Sequence, residues 1–170
     1  FTANRGEVVA FIGSTGSGKS TVVNLVPRFY DATEGEVLVD GVNVRDYSLD
    51  ALRNKLGYVP QSAVLFSGTI ASNVGYGDSG KPAPTLDEIR RAVAIAQGTE
   101  FVEKMPEKYD APIARGGTNV SGGQKQRLSI ARAVARNPEI YIFDDAFSAL
   151  DYRTDRALRS ALKRETNGAT

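Results

Sequence analysis

Residues 13–20 have the composition of a phosphate-binding loop. They read Gly-Ser-Thr-Gly-Ser-Gly-Lys-Ser and match the pattern G-x-x-x-x-G-K-[ST] in full. Glycines allow backbone N–H groups to converge on phosphate oxygens, Lys19 can reach the β- and γ-phosphates, and the Ser20 hydroxyl can ligate Mg²⁺. This phosphate loop therefore predicts the binding of ATP or GTP with magnesium. The predicted nucleotide-binding residues are Gly13, Ser14, Thr15, Gly16, Ser17, Gly18, Lys19, Ser20 and Thr21.

Two adjacent carboxylates, Asp144 and Asp145, follow the apolar run Ile140–Phe143. An aspartate at the end of a parallel strand can face the magnesium ion held near Ser20, usually through a water molecule. By itself such an aspartate is more often a helix cap or a solvated turn residue. Because the complete phosphate loop precedes it in the chain, we interpret Asp144 as a metal-binding residue.

The elements that must position these residues indicate an α/β fold. The apolar runs at 8–12 and Ile140–Phe143 are continuous rather than alternating, which is typical of strands covered on both faces in a parallel sheet. Residues 19–26 contain no glycine or proline and predict a helix that ends at the following proline. An Asp-Gly pair within the alternating residues 36–44 predicts a β-hairpin, and Leu56–Val59 predicts a further short strand.

A helical region is predicted between residues 79 and 136. Residues 79–84 are rich in glycine, proline and serine and mark its start. Thr85 and Glu88 then form a T-x-x-E capping box ahead of apolar residues at helical spacing. Residues 124–136 are rich in helix formers, and an Asn-Pro pair ends that helix.

Composition excludes several classes of function. With 170 residues, of which 41% are apolar, the chain can bury one substantial core. The net charge of +1, without blocks of like charge, argues against a nucleic-acid partner bound by bulk charge. Cysteine and histidine are both absent, which excludes disulfides, thiolate metal sites and Ser-His-Asp catalysis. No apolar run is long enough for a membrane span.

Three further segments resemble motifs of the ATP-binding cassette (ABC) proteins. Residues 119–127, Asn-Val-Ser-Gly-Gly-Gln-Lys-Gln-Arg, resemble the signature motif of that family. Residues 58–61, Tyr-Val-Pro-Gln, resemble its Q-loop, and residues 148–151, Ser-Ala-Leu-Asp, resemble its D-loop. The order of these motifs and of the phosphate loop along the chain is also that of a cassette ATPase, so the resemblance covers essentially all of the sequence.

The resemblance implies a P-loop NTPase fold. Such a domain has a RecA-like core with a mostly parallel sheet, an antiparallel β subdomain and an inserted α-helical subdomain. By this comparison residues 1–170 form one ABC nucleotide-binding domain, truncated at both ends. The core with its β subdomain is expected over approximately 1–78 and 137–170, and the helical subdomain with the signature motif over approximately 79–136.

The resemblance also implies roles for particular residues, with ATP and Mg²⁺ as cofactors. The implied metal-binding residues are Ser20, Gln61 and Asp144, and the implied catalytic residues are Asp145, Gln61 and Lys19. In the family the signature motif completes the nucleotide site of an opposite subunit, so a second nucleotide-binding domain is an expected partner. The residues concerned are Ser121, Gly122, Gly123 and Gln124, with Asp151 in the D-loop. By itself, Ser-Gly-Gly is also ordinary helix-capping chemistry.

Residues 66–74 and 114–117 resemble segments through which exporter-type cassettes contact their transmembrane domains. Simple packing is the alternative for these segments, and Ala114 replaces the acidic residue that the exporters usually carry before the arginine. The implied function is ATP hydrolysis that drives export, at the cytoplasmic face of a membrane.

Asp145 departs from the family pattern, which has Glu at this position. Because Asp is one methylene shorter, we expect weak hydrolysis at this site, as in the non-consensus subunit of a heterodimeric exporter. The alternatives are an ATP-binding clamp with little catalysis, or an Asp145 that still works through a shifted water molecule.

Overall fold

Two parallel strands end at the edge where the carboxylates lie. The computed structural model describes residues 1–166 and 168–170. Its helices are α1 (Lys19–Leu25), α2 (Leu49–Asn54), α3 (Ile70–Val74), α4 (Leu86–Ile95), α5 (Thr99–Glu103), α6 (Gly122–Ala135) and α7 (Tyr152–Glu165). Its strands are β1 (Leu38–Val39), β2 (Val42–Asn43), β3 (Leu56–Val59), β4 (Gly68–Thr69), β5 (Pro112–Ile113) and β6 (Ile140–Phe143). Strands β3 and β6 are parallel, with Val59 opposite Phe143. The predicted α/β class is confirmed.

The predicted buried strand over residues 8–12 is wrong for this structure. No strand forms there, and Val8 and Ile12 are 90% and 95% exposed. The only strand-like pairing beside β6 on this side is made by Thr170, whose carbonyl accepts a hydrogen bond from the N–H of Tyr141 at 2.7 Å and whose hydroxyl donates to the Asn4 carbonyl, among the described residues. Thr170 therefore lies between β6 and the N-terminal segment. A strand needs backbone hydrogen bonds to a neighbouring strand. Residues 8–12 have no such partner among the described residues, and they therefore form no strand.

The second predicted parallel strand, β6, is less buried than expected. Within β6 only Ile142 is buried, and Ile140, Tyr141 and Phe143 are partly exposed. The strand itself has the predicted bounds, as does β3. The position and bounds of the strand were thus correctly predicted, whereas burial on both faces was not.

The predicted β-hairpin over residues 36–44 is confirmed by the antiparallel pair β1 and β2. Asp40 and Gly41 connect the two strands with φ angles of 50° and 75°. Both angles are positive, as a type I′ turn requires, and this turn matches the natural twist of the strands. The hairpin packs on its own small cluster of buried residues, which includes Val39, Val44 and Leu52.

The helices between the phosphate loop and β6 supply most of the core. Thr85 and Glu88 form the predicted capping box, in which the Thr85 N–H donates to Glu88 Oε2 at 2.7 Å. Helix α4 packs against α6, and both contribute to one cluster together with residues of α3 and α7. None of the helices within residues 1–166 and 168–170 is long and apolar enough to cross a membrane.

Candidate nucleotide-binding site

Glycines shape the phosphate loop, residues 13–20, between the exposed N-terminal segment and α1. Gly16 and Gly18 have φ angles of 79° and 88°, in the left-handed region that side chains other than glycine rarely adopt. A Cβ atom at Gly13 would lie only 2.6 Å from the Ser17 hydroxyl oxygen. The positive φ angles therefore favour glycine at positions 16 and 18, and a side chain at position 13 would displace the Ser17 hydroxyl. Ser14, Thr15 and Thr21 are exposed on the loop and on the first turn of α1.

The side chain of Lys19 bridges the phosphate loop. Its Nζ donates to the carbonyl oxygens of Gly13 and Ser14 at 2.8 and 2.7 Å, and to Ser17 Oγ at 3.3 Å. These three acceptors hold the ammonium group against the loop. Because bonds to an ionised acceptor are stronger than bonds to a carbonyl group, an anionic phosphate placed here would compete for the same ammonium.

Ser20 and Asp144 come together although they are far apart in the sequence. Ser20 Oγ donates to Asp144 Oδ1 at 2.7 Å. The Asp144 N–H donates to the Val59 carbonyl at 3.0 Å, so the carboxylate is fixed at the ends of β3 and β6. A hydroxyl oxygen and a carboxylate oxygen are the hard ligands that Mg²⁺ prefers, and this pair therefore fits a magnesium ion.

Gln61 contacts the neighbouring carboxylate instead. Gln61 Nε2 donates to Asp145 Oδ2 at 3.2 Å, and no hydrogen bond joins Gln61 to Asp144 in the described part of the chain. Asp145 has a φ of 47°, which Asp tolerates better than most residues, and its carbonyl accepts from the N–H and Oγ of Ser148. Gln61 and Asp145 thus form a second pair beside Ser20 and Asp144.

Tyr58 and Asn24 belong to the site but were not singled out from the sequence. The Tyr58 hydroxyl donates to Asn24 Oδ1 at 2.9 Å and lies 3.5 Å from Asp144 Oδ2. Burial, and then the charge of Asp144, raise the pKa of the Tyr58 phenol, so it stays a neutral donor. The sequence contained a signal for Tyr58, because this residue lies one position before the end of the predicted strand Leu56–Val59 and begins the segment 58–61.

Ser121 caps α6 and holds the beginning of the signature segment, residues 119–127. The Ser121 N–H donates to Gln124 Oε1 at 2.9 Å, and Ser121 Oγ accepts from the Gln124 N–H at 3.2 Å. Gly122 has open space where a Cβ would be, whereas a Cβ at Gly123 would lie 3.3 Å from the Ala149 carbonyl oxygen. The described residues contain no hydrogen bond between Ser121–Gln124 and the phosphate loop.

Asp151 caps α7 in the same way, directly after the segment that resembles a D-loop. Its carboxylate accepts from the Thr154 N–H at 2.9 Å and from the Thr154 hydroxyl at 2.7 Å. These bonds lower the pKa of the Asp151 carboxyl. The contact between Gly123 and Ala149 places the signature segment beside this D-loop within one chain.

A glycine loop that leads into a helix, together with a carboxylate on a parallel strand beside its serine, defines the class of P-loop nucleotide-binding proteins. The sequence profile described as "ABC transporter" matches residues 1–148. The chain belongs to the ABC transporter family.

Relatives and a solved structure agree with this assignment. The chain is 48% identical over 163 residues to an ATP-dependent lipid A-core flippase of Haemophilus influenzae, covering 96% of this chain and 27% of the flippase. It is 45% identical over 159 residues to ABC transporter B family member 21 of Arabidopsis thaliana, covering 94% of this chain and 12% of that protein. A bacterial Atm1-family ABC exporter with ATP bound has a TM-score of 0.91 and 39% identity, covering 98% of this chain and 28% of the exporter.

These matches confirm the predicted P-loop NTPase fold and the resemblance to an exporter-type nucleotide-binding domain. The chain spans less than a third of the length of the relatives named above. The roles of the individual site residues and the boundaries of the subdomains stay predictions.

Proposed function

We propose that this chain is the ATP-binding and ATP-hydrolysing domain of an ABC exporter, in which nucleotide-driven dimerisation drives transport across a membrane. The observation that carries the proposal is the 2.7 Å contact between Ser20 and Asp144, which joins the phosphate loop to the end of β6. The exported substrate is left open, because the residues that would select it belong to transmembrane helices. The proposed division is a core with a β subdomain at about 1–78 and 137–170, and a helical subdomain at about 79–136.

The residues of the chain have separate tasks in this proposal. Loop N–H groups and Lys19 bind the phosphates, and Ser20 and Asp144 hold Mg²⁺, which supplies charge neutralisation at the phosphates. Asp145 and Gln61 orient the attacking water, and Asp145 accepts its proton. The 3.2 Å bond between Gln61 and Asp145 supports a shared task for these two residues.

A second nucleotide-binding domain completes the site in this proposal. The signature residues Ser121–Gln124 make no hydrogen bond to the phosphate loop within the described chain, which fits a role at the partner's nucleotide. The positive end of α6, with its free N–H groups, is suited to a γ-phosphate. The second domain belongs to a homodimer or a heterodimer, and we propose a heterodimer because Asp145 departs from the family's Glu. The dimer is bound to transmembrane domains at the cytoplasmic face of a membrane.

A second candidate function is an ATP-binding clamp with little hydrolysis at its own site. The observation that favours it is Asp145 itself, whose carboxylate is one methylene closer to the backbone than that of a glutamate. ATP would still close the dimer, and the intact signature segment would serve the active site of the partner.

The proposed function is tested with Lys19→Ala in the full-length protein that carries this chain. We expect ATP binding to weaken at least tenfold and hydrolysis at this site to be lost, since the phosphate tail loses its cation. The control is Lys163→Ala, because Lys163 is an exposed lysine on α7 that makes no hydrogen bond to the phosphate loop among the described residues. ATP affinity that is equal in wild type and Lys19→Ala would contradict the proposal. ATP binding without measurable hydrolysis in wild type would favour the clamp.

A further inference from the structure

Helix α6 holds the segment that carries Gln61 from both sides. Two of its side chains, Gln126 and Arg132, contact the chain before and after Gln61, and neither belongs to the site described above. We propose that Gln126 and Arg132 are positioning residues that set the place of Gln61 and transmit movement of the signature segment to it. This inference rests on the proposed function, because Gln61 must take part in hydrolysis for its position to matter.

Gln126 holds the residue immediately before Gln61. Its side chain is only 3% exposed, and its Nε2 donates to the Pro60 carbonyl oxygen at 3.3 Å. Proline has no N–H of its own, so this carbonyl is the only backbone hydrogen-bonding group that Pro60 offers. A buried amide is costly without a partner, and the contact therefore fixes the start of the loop relative to α6.

Arg132 holds the chain three residues after Gln61. Its Nη1 donates to the Val64 carbonyl at 2.9 Å, its Nε donates to the Asn73 carbonyl at 2.8 Å, and its Nη2 donates to Asn73 Oδ1 at 3.1 Å. The guanidinium lies 5.3 Å from the ring centre of Phe66 and 5.6 Å from that of Tyr76. Backbone, amide and aromatic faces thus surround this cation.

The surroundings of Arg132 contain no carboxylate within ion-pair distance among the described residues. Desolvation accordingly lowers the pKa of its guanidinium. Arg132 is partly buried, and desolvating a cation without a counter-ion is costly, so its hydrogen bonds to carbonyl and amide oxygens must offset that cost. The geometry assigns Arg132 to binding the chain after Gln61 through oriented carbonyl groups.

Asn73 makes this attachment rigid. It is 1% exposed, and it accepts from the Phe66 N–H at 2.9 Å while its Nδ2 donates to the carbonyls of Phe66 and Thr69 at 2.9 and 3.0 Å. Phe66 and Thr69 are therefore tied to one buried amide. That amide also accepts a hydrogen bond from Arg132 of α6, which binds the Val64 carbonyl directly. Displacement of α6 moves this segment as a unit.

The mechanical consequence concerns the two ends of α6. Its first residues, beginning at the Ser121 cap, form the signature segment that would meet the nucleotide of the partner. Further along α6, Gln126 binds the Pro60 carbonyl just before Gln61, and Arg132 binds the Val64 carbonyl three residues after it. A shift at Ser121 would move α6 and, through Gln126 and Arg132, the backbone around Gln61. Gln61 in turn contacts Asp145. Nucleotide bound by the partner's phosphate loop would thereby adjust the catalytic pair of this chain.

A double-mutant cycle on the full-length protein tests the proposal, with Arg132→Lys and Gln61→Ala made singly and together. Lysine keeps the charge but loses the planar, multidentate contact. We expect Arg132→Lys to lower kcat about tenfold while the KM and the binding affinity for ATP change less than twofold. In the Gln61→Ala background the same substitution is expected to change kcat less than twofold, because its effect acts through Gln61. Arg156→Lys on the exposed face of α7 is the control.

Three outcomes would overturn the inference: an equal loss of kcat in both backgrounds, no loss in either, or a Gln61→Ala protein as active as wild type. If Arg132→Lys does not yield folded protein, Gln126→Met decides by the same cycle, since it keeps length and removes only the amide. A wild type that hydrolyses ATP but shows either of the first two outcomes leaves the proposed function standing, whereas a fully active Gln61→Ala protein would also remove Gln61 from the proposed mechanism. A wild type without ATP binding refutes the proposed function itself.

Discussion

The length of the Asp145 side chain gives the sharpest prediction. Its carboxylate accepts a hydrogen bond from Gln61 Nε2 at 3.2 Å. A general base must come within roughly 2.6 to 3.2 Å of the water whose proton it takes, so the length of the side chain decides whether it reaches that water. Asp145→Glu adds one methylene, or about 1.5 Å of reach. A positioned general base contributes roughly 10²- to 10⁴-fold, and we expect a partial recovery of about 10- to 100-fold in kcat. That gain corresponds to about 1.4 to 2.7 kcal/mol of the barrier.

The assay is steady-state ATP hydrolysis by the full-length protein, with nucleotide affinity measured for each variant. Affinity should not change, because Asp145 does not hold the phosphates in this mechanism. A small loss of thermal stability is expected, since Glu tolerates the φ of 47° less well than Asp. Asp46→Glu is the control, an exposed aspartate beyond the β-hairpin. Equal rates in wild type and Asp145→Glu, with activity abolished in Asp145→Asn, would refute the reasoning, because they would show that Asp145 acts as the base without being limited by the length of its side chain.

Two predictions concern stability. Leu158 is fully buried on α7, and Leu158→Ala should lower the free energy of unfolding by about 2 to 5 kcal/mol, whereas Leu86→Ala at a 45% exposed position should cost less than about 1 kcal/mol. Denaturant titration measures both, and equal losses would contradict the packing. The Thr154 bonds lower the pKa of Asp151, so its cap stabilises the fold above the unfolded pKa and is lost as pH falls through the folded one. Asp151→Asn should therefore flatten the acid side of the stability profile, and an unchanged profile would show that the cap contributes nothing.

Local signals in the sequence identified most elements correctly. The Asp-Gly turn, the Thr85 capping box and the apolar runs of β3 and β6 act over a few residues, so they can be recognised without the rest of the molecule. Helix ends were predicted closely: α1 ends at Leu25, one residue before the predicted end, and α6 begins at Gly122, within the Ser-Gly-Gly segment whose capping chemistry marks a helix start. The last turn of a helix depends on its cap, which tolerates shifts of one or two residues.

Strand 8–12 shows where a local signal is insufficient. An apolar run forms a strand only if another strand offers hydrogen bonds, and residues 8–12 have no such neighbour among the described residues. Nothing in residues 8–12 themselves encodes that neighbour. The partly exposed faces of β6 have the same origin, because burial is a property of the surrounding elements and not of the run.

The sequence by itself determined the phosphate loop, the Ser20 and Asp144 pair as candidates, and the resemblance to the ABC family, because these depend on residue type and order. Only the tertiary structure decided which distant residues touch. It joined Ser20 to Asp144 across 2.7 Å and directed Gln61 to Asp145 rather than to Asp144. It also placed the Arg132 guanidinium against the carbonyls of Asn73 and Val64, which lie far from Arg132 in the sequence. Such contacts arise from packing between elements that are distant in the chain, so local sequence patterns do not predict them.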